Sequence, residues 1–133
     1  MREFFAIALI AINLSAIDWT HSEPFALRKD EFAVFEIDDN ILTFKWSLFH
    51  NNGLVSLIKY DHFPYQTILY DDYKLNSIKI PIKTNKTAIS ENPYIMIVFD
   101  GFDSDRNISN MRLYLSDSLG TISVKKAFDE RDR

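Results

Sequence analysis

The chain of 133 residues has no cysteine, only three glycines and four prolines, and no long block of basic charge. Without cysteine there is no disulfide, no thiol nucleophile and no attachment point for a lipid on an exported chain, so stability must come from packing. Scarce glycine and proline leave no Gly/Ser-rich linker, and no internal repeat divides the chain, so one domain is expected. With 15 basic against 19 acidic side chains, a net charge of −4, the balance argues against nucleic acid as the main partner. Catalytic signatures are missing as well. There is no G-x-S-x-G elbow, and His21, His50 and His62 show no metal-binding spacing such as H-E-x-x-H. No cofactor is expected.

Apolar residues, by contrast, are abundant. They make up 47% of the chain, with 11 Phe among them, and this excludes a disordered chain. A nine-residue apolar run, Phe4 to Ile12, follows Met1-Arg2-Glu3 and precedes Asn13-Leu14-Ser15-Ala16, the three-part form of a secretory signal. The run is too short for a membrane span, which needs about 20 residues. Residues 1–16 are therefore expected to be a signal peptide, with 17–133 as the mature domain starting at Ile17 and no stable membrane span once the signal is removed. A Cys-free exported domain, in a composition rich in Ile, Lys, Asn and Phe, fits a bacterial periplasm or secretion from a bacterium.

The mature chain reads as strands. In Ile41–Phe49, Leu42, Phe44, Trp46 and Leu48 fall on one face, with Thr43, Lys45 and Ser47 on the other. His50-Asn51-Asn52-Gly53 follows, and Asn-Gly is the favoured pair for a type I′ turn, so a hairpin into Leu54–Tyr60 is expected. Further strands are expected at Phe32–Ile37, Tyr65–Tyr70, Ser77–Lys83, Tyr94–Asp100, Met111–Leu115 and Thr121–Ala127. Pro81 places its strand at a sheet edge. The stretch Tyr94–Phe99, apolar on both faces, reads as a central strand covered on both sides. A second hairpin is expected to join Met111–Leu115 to Thr121. Ser22-Glu23-Pro24 reads as the cap of a short helix reaching Lys29, and Ala127–Arg133 as a solvated charged tail. Turn signals every 8–12 residues or so match a sandwich or barrel. The expected fold is all-β: about eight strands in an antiparallel two-sheet sandwich, with a small lipocalin-like barrel as the alternative. Lysines where lipid would lie argue against an outer-membrane barrel.

Two segments carry candidate chemistry. Tyr60–Tyr73 holds five aromatic residues and three aspartates in fourteen positions. Aromatic rings with polar tips are favoured in protein contacts, and rings beside carboxylates or amides also suit sugars. Its candidate binding residues are Tyr60, Asp61, His62, Phe63, Tyr65, Tyr70, Asp71 and Tyr73. Alternation puts Tyr65, Thr67 and Leu69 on one face and Gln66, Ile68 and Tyr70 on the other, so one set only is free for contact. The second segment, from Asp100 to Asn107, contains D-x-D-x-N, with Asp100, Asp103, Asp105 and Asn107 as candidate oxygen ligands for Ca²⁺. It departs from the EF-hand pattern at Ile108, where the sharp-turn Gly belongs, and at Tyr114, where the bidentate Glu belongs. The expected function is a small, non-catalytic interaction module or accessory subunit of a bacterial envelope assembly, whose partner is another envelope protein. A small-ligand or glycan-binding β-domain is one alternative. A periplasmic hydrolase using carboxylates such as Asp61, Asp100 and Asp103 is the other.

Overall fold

A computed structural model of the chain describes residues 19–72, 74–83, 92–117 and 119–129. The expected signal peptide, Ile17 and Tyr73 lie outside the described residues. Among the described residues nine strands run in order: β1 (Trp19–Arg28), β2 (Ala33–Ile37), β3 (Asn40–His50), β4 (Gly53–Tyr60), β5 (Phe63–Tyr70), β6 (Ser77–Pro81), β7 (Tyr94–Asp103), β8 (Ile108–Ser116) and β9 (Val124–Asp129). They form two antiparallel sheets, β1-β8-β7-β6 and β5-β4-β3-β2-β9, which do not close on each other. The fold is all-β and has the form of a sandwich, not the alternative barrel.

Inward side chains from both sheets meet in one core. Leu42, Phe44 and Trp46 of β3 and Phe35 and Ile37 of β2 face Phe25 and Leu27 of β1, Ile95, Ile97 and Phe99 of β7, and Met111, Leu113 and Leu115 of β8. The Phe25 ring packs edge-on against Phe35 and Phe44 of the opposite sheet, with centroids 5.2 and 5.7 Å away, a preferred aromatic geometry. The Trp46 indole N–H donates across the sandwich to the Leu27 carbonyl at 2.8 Å.

Two bulges reset which residues point inward. In β3 the register shifts between Trp46 and Leu48, and in β7 between Phe99 and Gly101. An extra residue in a strand inverts the alternation beyond it. Phe49 and Phe102 are thereby turned inward, and their rings stack at 4.1 Å and 9°. Trp46 meets Phe102 edge-on at 5.5 Å. Leu48, expected on the core face, is instead turned out and is 52% exposed.

The remaining departures from expectation have local causes. Residues 22–29 form no helix, because Ser22 to Arg28 pair with β8 throughout and Pro24 is tolerated in an edge strand. Met111–Leu115 and the segment from Thr121 do not make a hairpin, since β8 and β9 lie in different sheets. The chain crosses between them through the buried Asp117, whose Oδ2 accepts the Ile122 N–H at 2.8 Å. Strand β7 is buried on one face only: Ile95, Ile97 and Phe99 point inward, and Tyr94, Met96 and Val98 are half-buried on the outer surface. The expected tail is strand as far as Asp129, paired with β2. The β3–β4 hairpin forms as expected, but its left-handed residues are Asn51 and Asn52, and Gly53 already pairs with His50. Pro81 does sit in an edge strand, β6.

Because Phe102 fills the gap between the two bulges, Phe102→Ala should cost about 2–4 kcal/mol. Chemical denaturation would read the loss. Leu48→Ala, on the outer side of the same bulge, should change stability by less than about 1 kcal/mol.

Candidate functional site

The Tyr60–Tyr73 segment divides into a turn, an inner face and an outer face. Asp61 and His62 both adopt left-handed φ, 49° and 66°, and form the two-residue turn between Tyr60 and Phe63. They are therefore turn residues and not strand neighbours, and Asp and His tolerate that region better than branched residues. They border an open groove of about 410 Å³ together with Asp39, Asn40, Thr43 and Lys59.

Tyr60 is buried, and its hydroxyl grips the chain that follows β6. The Lys83 N–H donates to Tyr60 Oη at 3.0 Å, and the hydroxyl lies 3.4 Å from the Lys83 carbonyl as donor. Asn40 Nδ2 donates to the same carbonyl at 2.9 Å. The Lys83 side chain continues outward: its Nζ is 3.7 Å from Asp61 Oδ2 and 4.0 Å from the centroid of the Phe63 ring. Lys83 thus ties the four-stranded sheet's connection to the β4–β5 turn. Burial raises the Tyr60 pKa above its ordinary 10.0. Bonds with Lys83 and Asn40 pull the other way, and the nearby Asp61 and Asp38 charges add to the rise.

Tyr65, Thr67 and Leu69 face inward, with Leu69 fully buried and Tyr65 packed against the core. Ile68 and Tyr70 face outward and are 46% and 38% exposed. They belong to a larger outer surface. Leu48, Val55 and Ile68 lie directly opposite one another across β3, β4 and β5. In the next row, His50, Gly53 and Tyr70 stand opposite one another in the same way. A Cβ on Gly53 would come within 2.8 Å of Ile68 Cγ2 and 3.1 Å of the Tyr70 ring, so these two side chains close over the glycine. Asp71 sits just beyond, its N–H donating to the Asn52 carbonyl at 3.0 Å. On the other half of the sheet the outer surface mixes charge with apolar residues such as Ile41, which is exposed opposite Glu36. Lys45 lies over the Phe32 ring at 5.0 Å, and Glu36 stands opposite Lys125.

The second candidate segment is split by the β7 bulge. Asp100 stands on the outer face of the four-stranded sheet, 3.6 Å from Arg112 Nε. Asp103 closes the β7–β8 turn. Its Oδ1 accepts the Asp105 and Arg106 N–H groups at 3.1 and 3.2 Å, and Asn107 is left-handed with φ 58°. Such side-chain bonds stabilise turns by themselves. Among the described residues, no three His, Asp or Glu side chains form a group able to hold a metal ion.

One pairing escaped the sequence reading. His21 and Glu23, two apart on β1, share a face once that segment is strand. His21 Nε2 lies 3.8 Å from Glu23 Oε2, and neither atom has a hydrogen-bond partner. Reading residues 22–29 as helix hid it.

Two outcomes follow from this geometry. Tyr60→Phe leaves the Lys83 N–H without its acceptor and should cost about 1–3 kcal/mol. The protonated Tyr60 is favoured by folding, so its contribution is complete below pH 10 and is lost as pH rises through the raised folded value. Urea melts between pH 8 and about 11 should show that decline in the wild type and not in Tyr60→Phe. Gly53→Ala should cost about 1–3 kcal/mol by overpacking against Ile68. Ile68→Ala should recover part of it in a double-mutant cycle.

The chain was also compared with known proteins: no family model matches it, and neither a curated protein nor a solved structure does.

Proposed function

We propose that the protein is a non-catalytic interaction module, an accessory subunit of a bacterial envelope assembly, that binds another envelope protein through the outer face of its five-stranded sheet. One observation carries this reading: the apolar row Leu48–Val55–Ile68, flanked by Tyr70, lies on the outer surface of three adjacent strands, with Leu48, Ile68 and Tyr70 exposed and Val55 half-buried between them. A contiguous exposed apolar surface with a charged border marks contact sites in many proteins. Tyr70 adds a ring of the kind enriched where proteins meet. Export through the segment 1–16 would put this surface in the periplasm.

The test is a crosslinked pull-down of the tagged full chain from its own cells, comparing wild type with Leu48→Ser and Tyr70→Thr. One specific envelope protein should be recovered with the wild type and depleted about tenfold or more by either substitution, as loss of about 1.4 kcal/mol implies. Thermal unfolding should be little changed. Equal recovery by all three chains would remove the face from consideration. Mass spectrometry of the N-terminus checks export: a start at Ile17 supports it, and a start at Met1 opposes it.

A further inference from the structure

A sandwich of two open sheets has four edge strands: β1, β6, β5 and β9. Unpaired backbone groups along an edge are a template for another strand, and proteins blunt them with charge, proline or bulges. Strand β6 carries Lys79 and Pro81, and β9 carries Lys125 and Lys126. Strand β1 carries Glu23, Pro24 and Arg28 and a register shift after Trp19. Strand β5, Phe-Pro-Tyr-Gln-Thr-Ile-Leu-Tyr, also holds a proline, Pro64, but of the four it is the one with no charged residue, and it pairs with β4 without a register shift.

Two hydrogen bonds fix which β5 groups face outward along the edge. The Asp71 N–H reaches back to Asn52 on the β4 side, and the Tyr70 N–H points the other way, to the Leu75 carbonyl at 2.9 Å. Successive backbone groups alternate in direction. Gln66 and Ile68 therefore present N–H and C=O to the open edge, as does the Pro64 carbonyl, and proline's missing N–H breaks no bond to β4. Leu75 closes the edge at Tyr70, and among the described residues no other strand pairs with Phe63 to Leu69 on this side.

We infer that β5 is a self-association edge, which joins two copies of this chain into a continuous ten-stranded sheet about a two-fold axis at Gln66. A second copy fits this edge for three reasons. Antiparallel pairing of a strand with itself is self-complementary, as a two-fold dimer requires. A charge-free strand meets no like charge in its own copy, whereas β6 or β9 would bring lysines together. The register centred on Gln66 also uses the accessible stretch in full. The two Gln66 residues exchange both bonds, and each Ile68 N–H donates to the partner's Pro64 carbonyl. Leu69 then lies opposite the partner's Phe63, which is 56% exposed in the single chain. The pairing stops where Leu75 begins. The inference uses backbone groups and does not depend on the outer-face reading, although it would place two such faces on one side of a single sheet.

The test uses the purified full chain, whose lack of cysteine makes single-cysteine trapping unambiguous. Directly opposed, hydrogen-bonded residues have Cα atoms about 5.5 Å apart, within disulfide reach. Gln66→Cys should form a covalent dimer under mild oxidation, and Ile68→Cys, offset from its own mate by four positions along the paired strands, should form at least tenfold less. Gln66→Lys puts two lysines directly opposite each other. It should weaken the dimer measured by sedimentation at least tenfold while leaving in place the melting curve recorded at a dilution where the wild type is a single chain. The inference is overturned by a wild type that sediments as a single chain at its highest soluble concentration. It is also overturned by a dimer that Gln66→Lys leaves intact, or by Ile68→Cys trapping as readily as Gln66→Cys. Leu48→Ser should dimerise normally, so loss of partner recovery and loss of dimer are read separately.

Discussion

The stacked rings of Phe49 and Phe102 are the contact on which the rest of the structure depends, because they require both long strands to break their alternation. Strand β3 spans 11 residues and β7 spans 10. A strict period of two along either would face the interior with Leu48 and keep Phe102 out of it. One extra residue in each strand turns both Phe rings inward at the same level, where Trp46 and Phe99 close around them. The bulge in β3 has a second effect. Turning Phe49 in turns Leu48 out, beside Val55 and Ile68, so the same irregularity that fills the core also completes the apolar outer row.

Two further links hold the sheets in place without any covalent staple. The Trp46–Leu27 hydrogen bond joins β3 to β1, and the Lys83 clamp joins the connection after β6 to Tyr60 and Asn40. Both satisfy polar groups that burial would otherwise leave costly. They start from opposite edges of the four-stranded sheet, β1 and the chain after β6, and both end on the middle of the five-stranded sheet.

The sequence made most of the layer legible, because a half-buried strand writes its burial as simple alternation. The split of Tyr65–Tyr70 into two faces follows from that, while the β3–β4 hairpin was legible in its turn residues and the edge position of Pro81 in proline's missing N–H. Bulges are harder to read: nothing around Ser47 separates a bulge from a continuous strand, whereas Gly101, with φ 144° beside Asp100, is the one local signal of the bulge in β7. The β8–β9 connection misled for a different reason. Ser116 to Gly120 has the residues of a hairpin turn, but the buried Asp117 uses its carboxylate to hold Ile122 on a crossing path. Proline was ambiguous as well. In Ser22-Glu23-Pro24 it suits a helix start and an edge strand equally, and only pairing with β8 decides. The exposed apolar outer surface was half legible. Tyr70 was placed by alternation, while Leu48 could be found only through the bulge.

The outer face is stiff in a way that bears on its use. Gly53 leaves a gap on the outer surface of β4, and the Ile68 methyl and the Tyr70 ring fill it at close contact. Covering a strand glycine with an aromatic ring restores the packing that the missing side chain removes. Ile68 is also branched at Cβ and has little rotamer freedom. Two of the exposed apolar side chains are thus fixed before anything binds. Ordering a mobile side chain at an interface costs about 0.5–1.5 kcal/mol, and that cost is already met within the folded chain. Gly53 is therefore more than a turn residue: its missing Cβ lets the outer surface lie flat and fixed across three strands, and a larger side chain there would push Ile68 and Tyr70 away from the row they form with Leu48 and Val55.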